Sequence, residues 1–327
     1  MNIKKGFIPD PICTDDYQYD EVYGSAPADM PDFKTGYDAE FKLGTLRDDH
    51  QGTSLACVSF GSTNDMEMAA KTFGIDIQFS QRYLYSQIHS PNGGASPRNA
   101  YKIIQKYGIC PDEYMPTSVG KHMREKHARD ESGLAEAKQQ ALKWKIKAYY
   151  SVSNNIDSFA QAIYTNSGVG FGYIISGRMG HFVFGKGYGY HQGHPGIRYQ
   201  DSYEPYNKWM IYYSNRWFKD SPRGPQVQIY NPWCSEPEDW SANKETPDIP
   251  FRAERIEGRK EVLLILNNEP YWVVDGNPDM ENLIKAKLLT WEDIKPVKEF
   301  TFPYNNRIIG KLNIGLLLSA FIRGIKK

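Results

Sequence analysis

The chain has 327 residues, enough for one large domain or two, and an apolar content of 40% is ample for a buried core. Its 39 basic and 39 acidic side chains cancel, so no overall field draws nucleic acid or an anionic membrane. Four scattered cysteines (Cys13, Cys57, Cys110, Cys234) are too few for a disulfide framework, and MNIKKGFIPDP carries no apolar signal-peptide core. With no run long enough to span a bilayer, the expectation is synthesis and folding in a cytoplasm.

In chain order, residues 1–31 read as an extended leader rich in proline and acids, with no helical periodicity. Helical patterning runs from Thr53 to about Phe73. Ser80 has the chemistry of an N-cap for a helix over 81–89, and Pro97 to Tyr107 gives a third helix. Residues 117–147 are highly charged, with helix formers from Leu134 to Trp144, and read as an exposed insertion with a solvated face. Asn154 to Ile163 predicts one more helix, and Gly168 to Ile175 opens a strand system. Many of the 23 tyrosines cluster in this later part, as half-exposed strands or contact surfaces would show.

Two stretches carry chemistry. QGTSLACVSF sets Gln51 shortly before Cys57 on a small-residue stretch that turns apolar. Such a cysteine at a helix start is favoured as thiolate, and its own N–H with the Gln51 amide could hold an oxyanion. A buried, inert cysteine is the alternative. GHFVFGKGYGY then starts a strand with His181, and IRYQDSYEP follows with Asp201 and Tyr203. In this order the residues would complete a nucleophile–base–orienter set. A lone strand histidine would be the alternative for His181 by itself.

Over about residues 6–232 the chain resembles the papain-like cysteine peptidases. QGTSLACVSF is similar to QGxCGSCWAF, HFVFGKGYG to HAVxxVGYG, and QDSYEP to the segment KNSWG. FSQRYLYSQ and PNGGASPRNAYKIIQKYGICPDEYMP resemble two further family segments, and GFIPDPICTDDYQYD resembles a leader of bacterial and phage members. The resemblance implies an α+β, two-lobed fold with a helical lobe, a β-barrel-like lobe and a groove between them. It implies Cys57 as nucleophile, His181 as base, Asp201 as orienter and Gln51 as oxyanion donor. Gly93 and Gly94 would bind an extended peptide along the cleft, beside Tyr203 as shielding aromatic.

Departures from the pattern are equally plain. Val58 stands where the family has Trp, Asp201 where it has Asn, and Ser54 and Pro91 where it has a disulfide pair. A charged orienter can strengthen the imidazolium and shift the useful pH range. Loss of both bridge halves suits a reducing compartment.

After the peptidase domain, placed at 32–232, residues 233–255 read as a polar linker. Residues 256–310 form a small β-rich module, with a hairpin around Asn267-Asn268 and no chemistry assigned to it. An amphipathic tail at 311–327, whose only charges are Lys and Arg, would contact a protein assembly or a membrane surface, or pack on its own module. No cofactor and no metal are expected, since His191 and His194 have no acidic or thiol partner at a useful spacing. Nucleic acid is not expected either. The leading function is hydrolysis of peptide or protein substrates through a Cys57 thioester, within a phage or bacterial surface assembly. Two alternatives stand beside it: an idle scaffold serving as a structural or virion component, and a cell-wall peptide hydrolase or transpeptidase.

Overall fold

The computed structural model describes residues 6–118, 122–175 and 180–243, with the backbone of strands 251–256, 261–266, 269–274 and 294–297. Two compact units divide at Lys244. The first opens with α1 (Tyr19–Tyr23), β1 (Tyr37–Asp38), α2 (Ala39–Leu43), α3 (Cys57–Thr72), α4 (Gln81–Ile88) and α5 (Pro97–Tyr107). It continues with α6 (Glu125–Ala128), α7 (Leu134–Ala141), β2 (Ile146–Ser151) and α8 (Ile156–Asn166). Six strands follow: β3 (Val169–Ile175), β4 (Gly180–His191), β5 (His194–Gln200), β6 (Asn207–Tyr213), β7 (Arg216–Lys219) and β8 (Gln226–Pro237). Helices first and strands second is the order read from the sequence.

Helix α3 is the axis of the helical lobe. Every residue from Cys57 to Ala70 is buried, which is why no clean amphipathic stripe marks it in the sequence. Its neighbours start where the capping chemistry dictates. Ser80 Oγ accepts from Tyr83 N at α4, and Ser96 accepts from Asn99 N at α5, with Pro97 in the first turn. In the second lobe, antiparallel pairing runs β4–β3–β8–β7–β6–β5 and returns from β5 to β4, closing a barrel. Helix α8 packs Phe159 against Phe171 and Trp217 of that barrel.

The lobes meet where α3 lies on β4. A Cβ added to Gly61 would stand 2.6 Å from the Phe182 ring, so only glycine allows this approach. The contact sets the start of α3 beside the start of β4, and therefore Cys57 beside His181.

Three boundaries differ from the sequence reading. The leader is not extended throughout: α1 lies within it, and Phe7 and Tyr19 are fully buried. Its isolated polar and proline residues conceal this, because Asp10 takes Arg98 N, and Asp16 takes the Arg98 guanidinium. The linker does not begin at 233. Residues 226–237 are one strand paired with β2 and β3, and Trp233, Cys234 and Trp240 are buried in the first unit. The run from Pro232 to Ser235 is buried throughout, so the expected alternation is absent. Finally, 117–147 is not merely a solvated face, since Met123, Ala128 and Ala137 are core residues.

In the second unit, β9 (Phe251–Ile256), β10 (Glu261–Leu266) and β11 (Glu269–Val274) are antiparallel neighbours, and β12 (Ile294–Val297) lies parallel to β9. Leu266 pairs with Glu269 at the end of the β10–β11 ladder, and the expected turn at Asn267-Asn268 lies outside the described residues. The 311–327 tail lies outside the described residues. Among those residues no helix is long and apolar enough to cross a membrane.

Candidate active site

Cys57 is the first residue of α3, one turn later in register than a helix starting at Thr53 would place it. Ala56 before it offers no side-chain cap, so the dipole end of the helix is left to whatever lies in front of it. A cavity of about 470 Å³ lies there, walled by Cys57, Gln51, His181, Asp201, Tyr203 and Lys208 among others. Four of the residues singled out in sequence, Gln51, Cys57, His181 and Asp201, are thus brought together, with Tyr203 beside them.

The His181 side is well defined. His181 Nε2 lies 2.8 Å from Asp201 Oδ1, which also accepts from Tyr203 N at 3.1 Å. Nδ1 is then the ring nitrogen left for Cys57. Tyr173 stands edge-on to the imidazole at 5.7 Å, and Tyr203 covers it at 5.7 Å. Burial alone would make His181 a weaker base. The Asp201 carboxylate more than reverses that, and Cys57 adds in the same direction, so the imidazolium persists to about 10. Asp201 behaves as the reciprocal partner. Burial pushes it up, but His181 and then Lys208 bring it down to about 2.

Gln51 joins the two lobes. Its Oε1 accepts from Ser202 Oγ at 2.5 Å, its Nε2 donates to the Ser54 carbonyl at 2.8 Å, and its N–H donates to Ser202 O at 3.2 Å. One Nε2 hydrogen remains for a ligand beyond these contacts. Ser54, where a half-cystine was absent from the pattern, donates instead to the Gln51 carbonyl at 2.7 Å. All four cysteines are unpaired.

Gly93 and Gly94 do not line this cavity. Both have positive φ, in a turn whose backbone groups are already engaged. Gly93 N donates to Ser90 O, Ser90 N to Gly94 O, Ser90 Oγ to Gly93 O, and Gly94 N to the Tyr85 hydroxyl. The next residue, Ala95, is the one that presents its edge. Its N–H and carbonyl are taken by Gly6 O and Ile8 N at 3.0 and 2.9 Å, so the leader pairs in parallel there. Gly6 also lines the cavity, and a Cβ on it would meet Cys57 Sγ at 2.9 Å. Phe7 fills the adjoining recess between Phe182, Gly172, Gly180 and Tyr230.

Sequence reasoning missed four contributors. Glu125 Oε2 accepts from Leu55 N at 2.7 Å, and its Oε1 from Tyr85 OH and Arg129, so the charged insertion clamps the loop before Cys57. Lys208 donates to Asp201 Oδ2 at 2.7 Å. Tyr173 and Phe7 complete the walls. Only Lys208 had a signal, because an aspartate replacing asparagine in a buried set calls for a cation nearby. His191 and His194 sit at the far end of the β4–β5 hairpin, against Trp209 and Tyr213.

No family model matches the chain, and no curated protein matches it. Solved structures do. A cysteine protease of Xylella fastidiosa, xylellain, superimposes with a TM-score of 0.55 at 16% identity, covering 72% of this chain and 96% of that one. A procathepsin B of Trypanosoma congolense gives 0.51 at 13% identity, over 71% of this chain and 87% of that one. A procathepsin L2 from the larval midgut of Tenebrio molitor gives 0.51 at 14%, over 72% and 78%. The fold is that of the papain-like cysteine proteases.

Proposed function

We propose that this chain, built on the papain-like fold, is a cysteine peptidase that cleaves peptide or protein substrates through a Cys57 acyl-enzyme. The observation that carries the reading is the 2.8 Å His181–Asp201 contact on the wall shared with Cys57. In this mechanism the Cys57 proton already resides on His181, and the Cys57 sulfur attacks the scissile carbonyl as thiolate. The tetrahedral oxyanion is met by the Cys57 N–H at the head of α3 and by the free Nε2 hydrogen of Gln51. His181 then protonates the leaving amine, the C–N bond breaks, and a thioester remains. Water, deprotonated by His181, attacks the thioester; the acid product leaves and the thiolate is restored. Asp201 keeps the imidazole oriented and stabilises its charged form.

An idle scaffold is less consistent with a buried carboxylate brought down to about 2 beside an imidazole raised to about 10. Structural carboxylates elsewhere in the chain, Asp65 and Glu67, are pushed the other way by burial, to about 7. The test is hydrolysis of a mixed peptide library followed by mass spectrometry, with Cys57→Ala as control. New cleavage products that vanish in the variant support the reading. Identical product spectra from both proteins, while the chain is folded, would leave only the scaffold.

A further inference from the structure

The carboxylate behind His181 is held from both sides. Asp201 Oδ1 faces His181 Nε2 and Tyr203 N, while Oδ2 accepts from Lys208 Nζ at 2.7 Å. Lys208 also donates to the Tyr203 carbonyl at 3.1 Å. Its side chain is 12% exposed and that of Asp201 only 2%, so this is a desolvated pair rather than a surface one. The backbone brings it about. Asp201 N donates to Tyr206 O at 2.7 Å, closing the loop, and β6 begins at Asn207, which sets Lys208 over the carboxylate.

The donor inventory makes the two residues interdependent. An ammonium only donates and a carboxylate only accepts. Asparagine at 201 could still accept from His181, but its NH2 would then face Lys208, donor against donor. Neutral orientation of His181 and a lysine at 208 are therefore incompatible in this geometry. Charge leads to the same conclusion. When imidazolium and thiolate form, His181, Asp201, Lys208 and Cys57 alternate in sign; without Lys208 the buried set carries a net negative charge just where a substrate oxyanion must develop.

We infer that Lys208 is a positioning residue for the reaction of Cys57. It locks Asp201 against His181 and balances its charge, so that Asp201 and Lys208 act as one unit. The kinetic consequence rests on the peptidase reading above; the coupling of the two side chains does not. Other groups near the ring do not take this role. Tyr173 and Tyr203 stay neutral, both raised by burial, and Lys219 on the cavity wall is engaged with Asp220 at 2.6 Å. His50 and Glu204 lie beyond Tyr203 and Tyr206, on the outer side of the loop.

The test is a double-variant cycle in the full chain with Asp201→Asn, Lys208→Met and both together. Three readouts are followed: alkylation of Cys57 by iodoacetamide at neutral pH, NMR titration of His181, and thermal unfolding. Asp201→Asn should slow alkylation by roughly tenfold or more, and Lys208→Met should slow it by roughly threefold or more. The double variant should be no slower than Asp201→Asn alone, because the mismatch with Lys208 has gone. The His181 midpoint should fall in Asp201→Asn and rise in Lys208→Met. Lys208→Arg keeps the cation and should recover part of what Lys208→Met loses, and Lys208→Gln replaces the Met variant in the cycle if that variant does not fold. Multiplicative losses in the double variant, an unmoved His181 midpoint in Lys208→Met, or equal damage from Arg and Met would overturn the inference. If no peptide is ever cleaved but the cycle still couples, the peptidase reading fails and the pair stands.

Discussion

The two sides of the groove are secured by different means. On the helical side, the loop leading to Cys57 is held by segments far away in sequence: Glu125 accepts from Leu55 N, and Gly6 of the leader lies beside the thiol, where a Cβ would have no room. On the barrel side, His181 and Asp201 are placed by neighbouring strands in a continuous ladder, with β4 paired to β5 and β5 to β6. Gln51 and Ser202 are the bolt between them. The contrast separates two kinds of control. Changes on the barrel side should alter charge and proton transfer, whereas changes on the helical side should alter access and alignment.

The largest effect should come from the barrel side. His181→Ala removes the proposed base and should reduce peptide turnover by roughly 10²–10⁴-fold. It also leaves the buried Asp201 carboxylate with Lys208 as its remaining cation, so some stability is lost too; turnover that stays at the wild-type level in the folded variant would make His181 a structural residue. The pH dependence sharpens the same point. His181 is raised, so its share of the ion-pair stabilisation is full below its ordinary 6.5 and is lost as pH rises through about 10. Asp201 is lowered, so its share is present above its ordinary 3.8 and is lost as pH falls through about 2. The stabilisation from the pair is therefore full between 3.8 and 6.5 and is lost as pH rises towards about 10 or falls towards about 2. Turnover measured against pH should keep its alkaline limb well above neutrality, and Asp201→Asn should move that limb down. An unmoved limb would mean another group controls it.

On the helical side, Glu125→Gln replaces a charge-assisted bond to Leu55 N with a neutral one. A bond to a charged group contributes about 1.5–3 kcal/mol and a neutral one about 0.5–1.5, so a drop in unfolding free energy of about 1 kcal/mol is expected, with a smaller loss of turnover. Urea denaturation of the two proteins measures it. An unchanged midpoint would return the 117–147 segment to the solvated role expected from its composition. The smallest effect, and of opposite sign, should follow Phe7→Ala. Emptying the recess between Phe182 and Tyr230 loosens the leader over the thiol, so Cys57 should alkylate faster than in wild type. An unchanged rate would show that Gly6 does not narrow access.

Much of this was legible before any coordinates. Contiguous motifs placed Gln51, Cys57, His181 and Asp201, because a helix start and a strand start each fix a residue relative to its local pattern. Ser80 and Pro97 marked helix starts for a similar local reason. What stayed hidden was long-range. The bond from Glu125 to Leu55 joins residues whose local sequences show only charge and a loop. The glycine turn at Gly93-Gly94 keeps its backbone for Ser90 and Tyr85, which leaves Ala95 as the edge. The anchoring of the leader stayed hidden because its partners, Arg98 and Asn231, lie in other elements. Strand β8 escaped notice because one end is buried on both faces.

Reactivity of the four thiols tests the account most directly. Cys57 is 1% exposed, whereas Cys13 is half-buried and readily reached. Cys110 and Cys234 are pushed up by burial and should stay inert. Brief treatment of the native protein with iodoacetamide at mildly acidic pH, mapped by mass spectrometry, should label Cys57 ahead of the more accessible Cys13, and this preference should vanish in His181→Ala. Labelling of Cys13 first, with Cys57 reacting only at alkaline pH in both proteins, would contradict a nucleophile activated by His181.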